Sequence, residues 1–396
     1  MTKVILGTNE ASAWPHFGGS TWVRLQYILG LERLGVKCYW VDRLAPPHPR
    51  RNPHSVDYLV ERFRRMAEDF GFVDRYCIVH DGGERHFGMA ATELSDLIAE
   101  TDLLINVSGR LPPDSPLLHV PRRAYLDVDP GFTQIWAHQT DLDLSRHNLF
   151  FTIGQNVGRS DFGIDTQGVP WQPTVPPVVL DLWPVCTDER WTRIGTVGDW
   201  RGSQDAIWDG EWYGGKREEF LGYLRVPVEA GRELEIALLV GQDDYEDLGI
   251  LGRNGWRVLD PYAYAGDPHS YREFIQRSRA ELSVAKRGYV RTNSGWLSDR
   301  TVSFLASGKP ALVQSTGFEG TLPTGRGLLT FKTVQEAVDG IRALEDDYAG
   351  HAAEARSIAE ERFDSRAVLE SLLERSGLER SGARGAPLSS PTSLAR

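Results

Sequence analysis

The chain contains little cysteine and no long apolar stretch. Its three cysteines, Cys38, Cys77 and Cys186, are far apart and odd in number. This pattern argues against a disulfide framework and a zinc site, so free thiols in a reducing compartment are expected. No stretch is long and apolar enough for a membrane span or for the core of a secretion signal. The sequence therefore predicts a cytoplasmic protein without a membrane span.

The chain also lacks a positive net charge. Its 55 acidic residues outnumber its 44 lysines and arginines, which gives a net charge of −11. Such a balance argues against a protein that binds nucleic acid or membrane surfaces in general. A local basic cleft remains compatible with it, so small anionic ligands stay open.

The first half alternates apolar, β-rich runs with helical segments. A strand is expected at 3–8, followed by a flexible loop at Gly18 and Gly19 and a helix capped by Ser20 or Thr21. A second strand follows the glycine at position 35. This strand–loop–helix–strand order predicts parallel strands joined by a right-handed crossover. Its repetition predicts an α/β, doubly wound layout.

A proline-rich segment separates two such halves. Prolines stand at positions 170, 173, 176, 177 and 184, and a chain so rich in proline is stiff and extended. The predicted division is an N-terminal domain at 1–170, a linker at 171–190 and a second domain at 191–350. A C-terminal helix at 351–375 crosses back to the first domain, and a disordered tail occupies 376–396.

The stretch SGWLSDRTVSFLASGKPALV, at 294–313, predicts a polar loop, a short helix and a strand. Ser298, Asp299, Arg300 and Thr301 lie at the start of that helix. Free backbone N–H groups and the helix dipole make such a start suitable for an anion. An ordinary capped helix is the alternative, although Arg300 in the first turn opposes the dipole and so favours an anion nearby.

Two segments resemble a known superfamily. HFGGSTWVRLQYILGLERLGVKCYWVD, at 16–42, is similar to the N-terminal glycine loop and first helix of glycosyltransferases with the GT-B fold. The stretch from Ser294 onward resembles the donor-binding segment of the same superfamily, in which a helix ends in Ala-x-Gly-x-Pro. The resemblance covers most of the chain. It implies two Rossmann-like domains facing a cleft, with the acceptor in the first domain and a nucleotide-activated sugar in the second.

The resemblance also implies which residues hold the donor diphosphate and nucleotide. They are Gly18, Gly19, Ser20, Trp200, Arg201, Lys286, Ser298, Asp299, Arg300, Thr301 and Ser303. One position departs from the pattern. Many retaining members have a ribose-binding glutamate five residues before the glycine of Ala-x-Gly-x-Pro, whereas this chain has Ser303. The sequence therefore leaves the stereochemistry of transfer open.

Two residues are candidates for the catalytic base. Asp129 lies at a strand end in YLDVDPGF, and His16 precedes the glycine loop. Asp127 and Asp129 also match the metal-binding Asp-x-Asp of the other common glycosyltransferase fold, or a simple turn before Pro-Gly. The spacing of His80 and His86 does not match helical metal ligands, and no metal site is expected.

The expected reaction is the transfer of a sugar from a nucleoside diphosphate (UDP, GDP or dTDP) to a small-molecule acceptor, without metal or cofactor. Two alternatives remain. One is a sugar-nucleotide epimerase of the same fold, and the other is a catalytically silent sugar-nucleotide-binding protein. The sequence leaves the oligomeric state open, and a homodimer is compatible with it.

Overall fold

A computed structural model describes residues 1–9, 17–45, 54–188, 190–202 and 205–378. His16, the first candidate for a base, lies outside the described residues. The same is true of 379–396, which make up most of the predicted tail. Ser376 is described and is buried, and its hydroxyl donates to the Leu372 carbonyl over 2.8 Å, so the ordered chain continues past the predicted start of the tail.

An eight-stranded sheet forms the first domain. Its strands are β1 (Lys3–Asn9), β2 (Lys37–Leu44), β3 (Tyr76–His80), β4 (Arg85–Gly88), β5 (Leu103–Val107), β6 (Arg123–Asp127), β7 (Leu149–Thr152) and β8 (Gln172–Pro173). Their spatial order is β4-β3-β2-β1-β5-β6-β7-β8, and all neighbours are parallel except β3 and β4. The helices are α1 (Gly18–Arg33), α2 (Val56–Asp69), α3 (Ala91–Glu100) and α4 (Phe132–Gln139).

A six-stranded parallel sheet forms the second domain, in the order β13-β12-β9-β14-β15-β16. These strands are β9 (Ile194–Asp199), β12 (Leu234–Leu239), β13 (Trp256–Leu259), β14 (Ala280–Ser283), β15 (Ala311–Gln314) and β16 (Leu328–Phe331). The helices are α5 (Lys216–Leu221), α6 (Val226–Ala230), α7 (Tyr245–Arg253), α8 (Pro261–Ala265), α9 (Pro268–Arg277), α10 (Arg287–Arg291), α11 (Asp299–Ala306) and α12 (Val334–Asp346).

The central strands are buried along their whole length. Leu103–Val107 and Ala311–Gln314 are buried at every residue, because helices cover both faces of a doubly wound sheet. Continuous apolar runs such as LLINV therefore predict these strands correctly. The predicted two-domain α/β architecture is confirmed.

One hairpin was not predicted from the sequence. Its strands are β10 (Ala206–Trp208) and β11 (Glu211–Tyr213), which belong to the second domain in sequence. The hairpin packs on α4 of the first domain, where Trp136 donates through Nε1 to the Asp205 carbonyl over 3.1 Å. His138 and Trp208 also stack, with 4.5 Å between ring centroids. The hairpin thus connects the two domains outside the linker.

The C-terminal segment returns to the first domain as two helices, whereas the sequence predicts one. They are α13 (Tyr348–Arg362) and α14 (Ser365–Arg375), and α14 packs on α1. Asp364 at the break caps α14 by accepting a hydrogen bond from the Arg366 amide. Beside the break, the Val178 amide donates to the Phe363 carbonyl over 2.7 Å, and the Ser365 amide donates to the Val178 carbonyl over 2.9 Å. The two connections between the domains are therefore joined to each other.

Among the described residues, no helix has the length and apolar character needed to cross a membrane.

Candidate functional site

Each of the two sheets has a topological switch point, which lies at the carboxyl ends of its strands. In the first sheet the chain reverses direction of winding between β1 and β5, and in the second between β9 and β14. Ligands of open α/β sheets bind outside the carboxyl ends of strands at such points. Contacts between Asp129 and Lys286, and between Trp22 and Pro268, show that residues from the two domains meet at these edges. The cleft between the domains is therefore the candidate site.

Asp129 joins the two domains inside the cleft. The Tyr289 hydroxyl donates to Asp129 Oδ1 over 2.5 Å, and Lys286 Nζ lies 3.5 Å from the same oxygen. Burial opposes ionisation of Asp129, but Lys286 and the Tyr289 hydrogen bond outweigh it and hold its pKa below the ordinary value. A carboxylate stabilised in this way is a weak proton acceptor. Asp129 and Lys286, which are both predicted site residues, therefore lie in the cleft. Asp129 is the ion-pair partner of the Lys286 ammonium.

Asp127 supports the loop that carries Asp129. It accepts hydrogen bonds from the hydroxyls of Thr133 and Thr152 over 2.7 and 2.8 Å, and from the Asp129 amide over 3.0 Å. Burial raises the pKa of Asp127 to about 6, although these donors favour its charged form. Its oxygens are thus used within the first domain, and the structure does not present the two aspartates as a joint metal-binding pair. Among the described residues, no group of three histidines, cysteines or carboxylates is placed to hold a metal ion.

Lys216 is the residue that sequence reasoning missed. It begins α5 and is buried, and its Nζ lies 3.5 Å from the position that a Cβ would take on Gly198, near the carboxyl end of β9. Burial lowers the pKa of Lys216 well below its ordinary value, and the charge of Arg300 lowers it further. No ion pair or hydrogen bond joins its ammonium to another described residue. A buried cation without a partner is costly, so the site is suited to an anionic ligand.

Arg300 does not reach the cleft as predicted. Its Nε lies 2.5 Å from Glu281 Oε1, and its two Nη atoms donate to the Val197 carbonyl and the Ser283 hydroxyl, both over 2.6 Å. Glu281 is fully buried on β14. The guanidinium is therefore held inside the second domain. Its donors face internal acceptors, and its predicted contact with a diphosphate stays a prediction.

The start of α11 has the features of a capped helix. The Ser298 hydroxyl accepts from the Arg300 amide over 3.2 Å, and the Ser303 hydroxyl donates to the Asp299 carbonyl over 3.1 Å. The buried Thr301 hydroxyl has no hydrogen-bond partner among the described residues and borders a cavity of about 10 Å³, roughly the space of one water. Burial raises the pKa of Asp299 to about 6. Ser298, Asp299, Thr301 and Ser303 lie beside the cleft, and the contacts described for them lie within the second domain.

Trp200 and Arg201 directly follow β9, and both side chains have carboxylate partners in the second domain. Trp200 is fully buried, and its Nε1 donates to Asp247 over 2.7 Å. Arg201 makes a bidentate pair with Asp244, with distances of 2.6 and 2.7 Å. The hydrogen bonds that Arg201 donates to Asp244 raise the pKa of Arg201 above its ordinary value. Trp200 is enclosed within the second domain and Arg201 is paired with a carboxylate, and their predicted contacts with the nucleotide stay predictions.

Gly18 and Gly19 lie within the first turn of α1, where the sequence predicts a loop before the helix. A Cβ on Gly18 would lie 2.3 Å from the Asp267 carbonyl oxygen, and one on Gly19 would lie 2.9 Å from the Tyr271 ring. Both contacts are with the second domain. Ser20 is not a cap but accepts at its hydroxyl from Arg24 over 2.7 Å. The glycines therefore allow the helix start to approach the other domain closely.

Further charges converge on the cleft from α1 and the first sheet. Burial lowers the pKa of Arg24, which is also influenced by the charges of Asp42, Arg110, Asp299 and Asp129. Arg24 Nη1 donates to the Ser20 carbonyl and hydroxyl, while its buried Nε has no hydrogen-bond partner in the part of the chain that the structure describes. Helical spacing alone places Arg24 on a solvent face, so Arg24 was not predicted as a site residue.

Residues 234–374 match a family model described as glycosyl transferase-like. The whole chain resembles solved structures. An alpha-glucosyltransferase in complex with UDP has a TM-score of 0.61 at 12% identity, over 95% of this chain and 100% of that one. The chain has the GT-B fold. An alpha-glucosyltransferase in complex with UDP and a 13-mer DNA with a central A:G mismatch gives a TM-score of 0.60, at 12% identity over 95% and 100% of the two chains.

A third GT-B structure is the Anabaena protein HepE in complex with UDP and glucose. It has a TM-score of 0.55 and 13% identity, over 94% of this chain and 99% of that chain. A search of curated protein sequences found no match. The fold predicted from the sequence is confirmed, and the glycosyl transferase-like match over 234–374 agrees with the predicted class. The matched segment begins at β12 and extends to α14, so it includes α11 and β14, the strand that carries Glu281 and precedes Lys286.

Proposed function

We propose that this protein transfers a glycosyl group from a UDP-sugar to a hydroxyl of a small-molecule acceptor. Lys216 carries the proposal, because its ammonium is buried at the carboxyl end of β9 without a partner among the described residues. A diphosphate supplies the missing negative charge. The UDP present in solved structures of similar fold supports the choice of nucleotide.

Lys286 is the second cation of the proposed donor site. It follows β14, the strand adjacent to β9, and is already charged and held in the cleft by Asp129. When the bond between the anomeric carbon and the β-phosphate breaks, negative charge develops on the leaving UDP. Two fixed cations in a buried site stabilise that charge more effectively than mobile groups in water. Leaving-group stabilisation by Lys216 and Lys286 is therefore the chemical contribution that we assign to the second domain.

The test compares UDP, GDP and dTDP by calorimetric titration and thermal unfolding. We expect UDP to bind and to raise the Tm of the wild-type protein. Lys216→Met is expected to bind UDP at least tenfold more weakly, and yet to have a higher Tm without nucleotide, because an uncompensated buried ammonium is removed. Lys332→Met is the matched control, since Lys332 is exposed. Unchanged UDP affinity in Lys216→Met would contradict the proposal.

The products formed from a UDP-sugar distinguish a transferase from an epimerase and from a catalytically silent binding protein. A transferase releases UDP in proportion to the glycosylated acceptor. An epimerase converts the UDP-sugar into its epimer when no acceptor is present, and a silent binding protein releases no UDP.

A further inference from the structure

The amino group of Lys216 lies in surroundings that disfavour its charge. The residue is 7% exposed, and among the described residues no hydrogen bond or ion pair reaches its Nζ. Burial removes most of the water that solvates an ammonium group on the surface. Lysines in such positions give up their proton more readily than in water. Burial is accordingly the largest cause that lowers the pKa of Lys216 well below its ordinary value.

The closest charged pair of the second domain does not offset this burial. Arg300 repels the Lys216 ammonium and is the second cause of its lowered pKa. Glu281 attracts the ammonium, but its Oε1 lies 2.5 Å from Arg300 Nε, so the two charges of this buried pair largely cancel. A proton on Lys216 would therefore give this part of the second domain a net positive charge.

Two further charged groups face Lys216, and each has a partner elsewhere. Lys286, which follows β14, repels the ammonium and lies 3.5 Å from Asp129 Oδ1 of the first domain. Asp199, at the end of β9, attracts the ammonium, but it is exposed and its Oδ1 accepts from the Gly202 amide over 3.1 Å. Water screens an exposed charge of this kind. The charged groups around Lys216 thus leave its burial uncompensated.

A bound diphosphate reverses this balance, because a negative charge next to an amine favours its protonated form. We propose that nucleotide binding to this protein is coupled to the uptake of one proton by Lys216, which is a neutral amine at mildly alkaline pH when no nucleotide is bound. The proton passes from solvent to Nζ, and no other bond changes. The inference rests on the proposed function, since it requires the diphosphate to lie at Lys216.

The coupling distinguishes the product of transfer from its substrate. The terminal phosphate group of UDP loses its last proton near pH ~6, as other phosphate monoesters do. In a UDP-sugar this phosphate is esterified to the sugar and carries one negative charge less. UDP therefore holds the Lys216 proton more strongly than the UDP-sugar does. Loss of that proton weakens the attraction between Lys216 and UDP, so alkaline pH favours release of the product.

The test counts protons by calorimetric titration of the full chain with UDP at pH 8.0, in HEPES and in Tris. The two buffers differ in their heat of ionisation, so the difference between the two binding enthalpies gives the number of protons taken up. At this pH free UDP has already lost its phosphate protons. We expect the wild-type protein to take up roughly 0.5–1 proton per UDP, and its Kd to rise about three- to tenfold between pH 7.5 and 8.5.

Lys216→Arg separates the charge of this side chain from the uptake of a proton. A guanidinium keeps its proton throughout this pH range. We expect the variant to bind UDP without proton uptake, and its Kd to stay within twofold between pH 7.5 and 8.5. Lys332→Arg is the matched control, because Lys332 is exposed, and it should take up protons like the wild type.

The wild-type proton count alone decides the inference if Lys216→Arg fails to fold. UDP binding without proton uptake overturns the inference, and so does uptake that persists in a folded Lys216→Arg protein. In both cases the bound UDP leaves the proposed function standing. Absence of UDP binding to the wild-type protein would instead contradict the proposed function itself.

Discussion

The Tyr289 hydroxyl of the second domain donates a 2.5 Å hydrogen bond to Asp129 of the first. The tyrosine ring also stacks on Trp296, with 4.2 Å between centroids, and meets Phe132 edge-on. The ring and the hydroxyl therefore make separate contributions. The ring fills a shared apolar cluster, whereas the hydroxyl helps to keep a buried carboxylate charged.

Tyr289→Phe isolates the hydroxyl, because phenylalanine keeps the ring contacts. We expect the free energy of unfolding to fall by about 1.5–3 kcal/mol, the usual range for a hydrogen bond to a charged group. The pKa of Asp129 should rise, because one donor that favours its charged form is lost. Urea denaturation measures the first effect. The control is Tyr245→Phe, since Tyr245 is 57% exposed; equal stability of the two variants would show that the hydrogen bond contributes nothing.

Arg300→Met should destabilise the second domain rather than merely weaken UDP binding. The substitution leaves Glu281 fully buried without its cation, which costs about 3–5 kcal/mol in comparable pairs. The double variant Glu281→Gln/Arg300→Met removes both charges and should recover a large part of this loss. Urea denaturation of the two single variants and the double variant gives the coupling energy. A stable Arg300→Met protein that no longer binds UDP would restore the diphosphate role predicted from the sequence.

Asp299 should make the protein less stable as the pH rises from about 4 to about 6. Its folded pKa of about 6 lies above the ordinary value of 3.8, so the folded state holds the proton more tightly than the unfolded state. The stabilisation is complete below pH 3.8 and is lost as the pH rises through 6. Asp299→Asn should therefore gain stability relative to wild type over this range, by at most ~3 kcal/mol.

The measurement for Asp299 is the free energy of unfolding at a series of pH values from 4 to 7.5. The exposed Asp243→Asn variant corrects for general charge effects. A difference between Asp299→Asn and wild type that does not change with pH would contradict the assignment.

Gly18→Ala should disturb the contact between the domains more than Gly19→Ala does. The new Cβ on Gly18 meets the Asp267 backbone carbonyl, which cannot move without displacing the start of α9, whereas the Cβ on Gly19 meets a tyrosine side chain that can shift. We expect a loss of about 1–3 kcal/mol for Gly18→Ala, as for other overpacked sites. Thermal unfolding and UDP-glucose turnover report the two effects. Equal behaviour of the two variants would show that the close approach is not required.

The architecture could be predicted because it depends on local patterns. Buried parallel strands need continuous apolar runs, and 103–107 and 311–314 have them. The hairpin was missed although its turn, Asp209-Gly210, has the residue types of a tight hairpin and a positive φ at both positions. Its strands are only three residues long, and their main partner, α4, is distant in sequence. The α13–α14 break was missed because it depends on Val178.

The site could be predicted only in part, because charges are paired through space. The sequence indicates that Lys286 and Asp129 follow strand ends, and in the structure the two side chains meet between the domains, whereas their roles stay predictions. It places Arg300 at a helix start but cannot reveal that Glu281 lies beneath it on a neighbouring strand. The burial of Lys216 could not be predicted either, since a lysine in the first turn of a short helix is usually exposed. Its burial follows from the second sheet and not from the residues around it in the sequence.

The pairing of Val178 with the segment around Asp364 has a mechanical consequence. A single extended connection lets two bodies both bend and twist about it, but two connections joined by backbone hydrogen bonds resist torsion while still allowing bending. We therefore expect any motion between the domains to follow one direction of opening and closing. Such a restriction would return Lys286 and Asp129 to the same mutual position on closure.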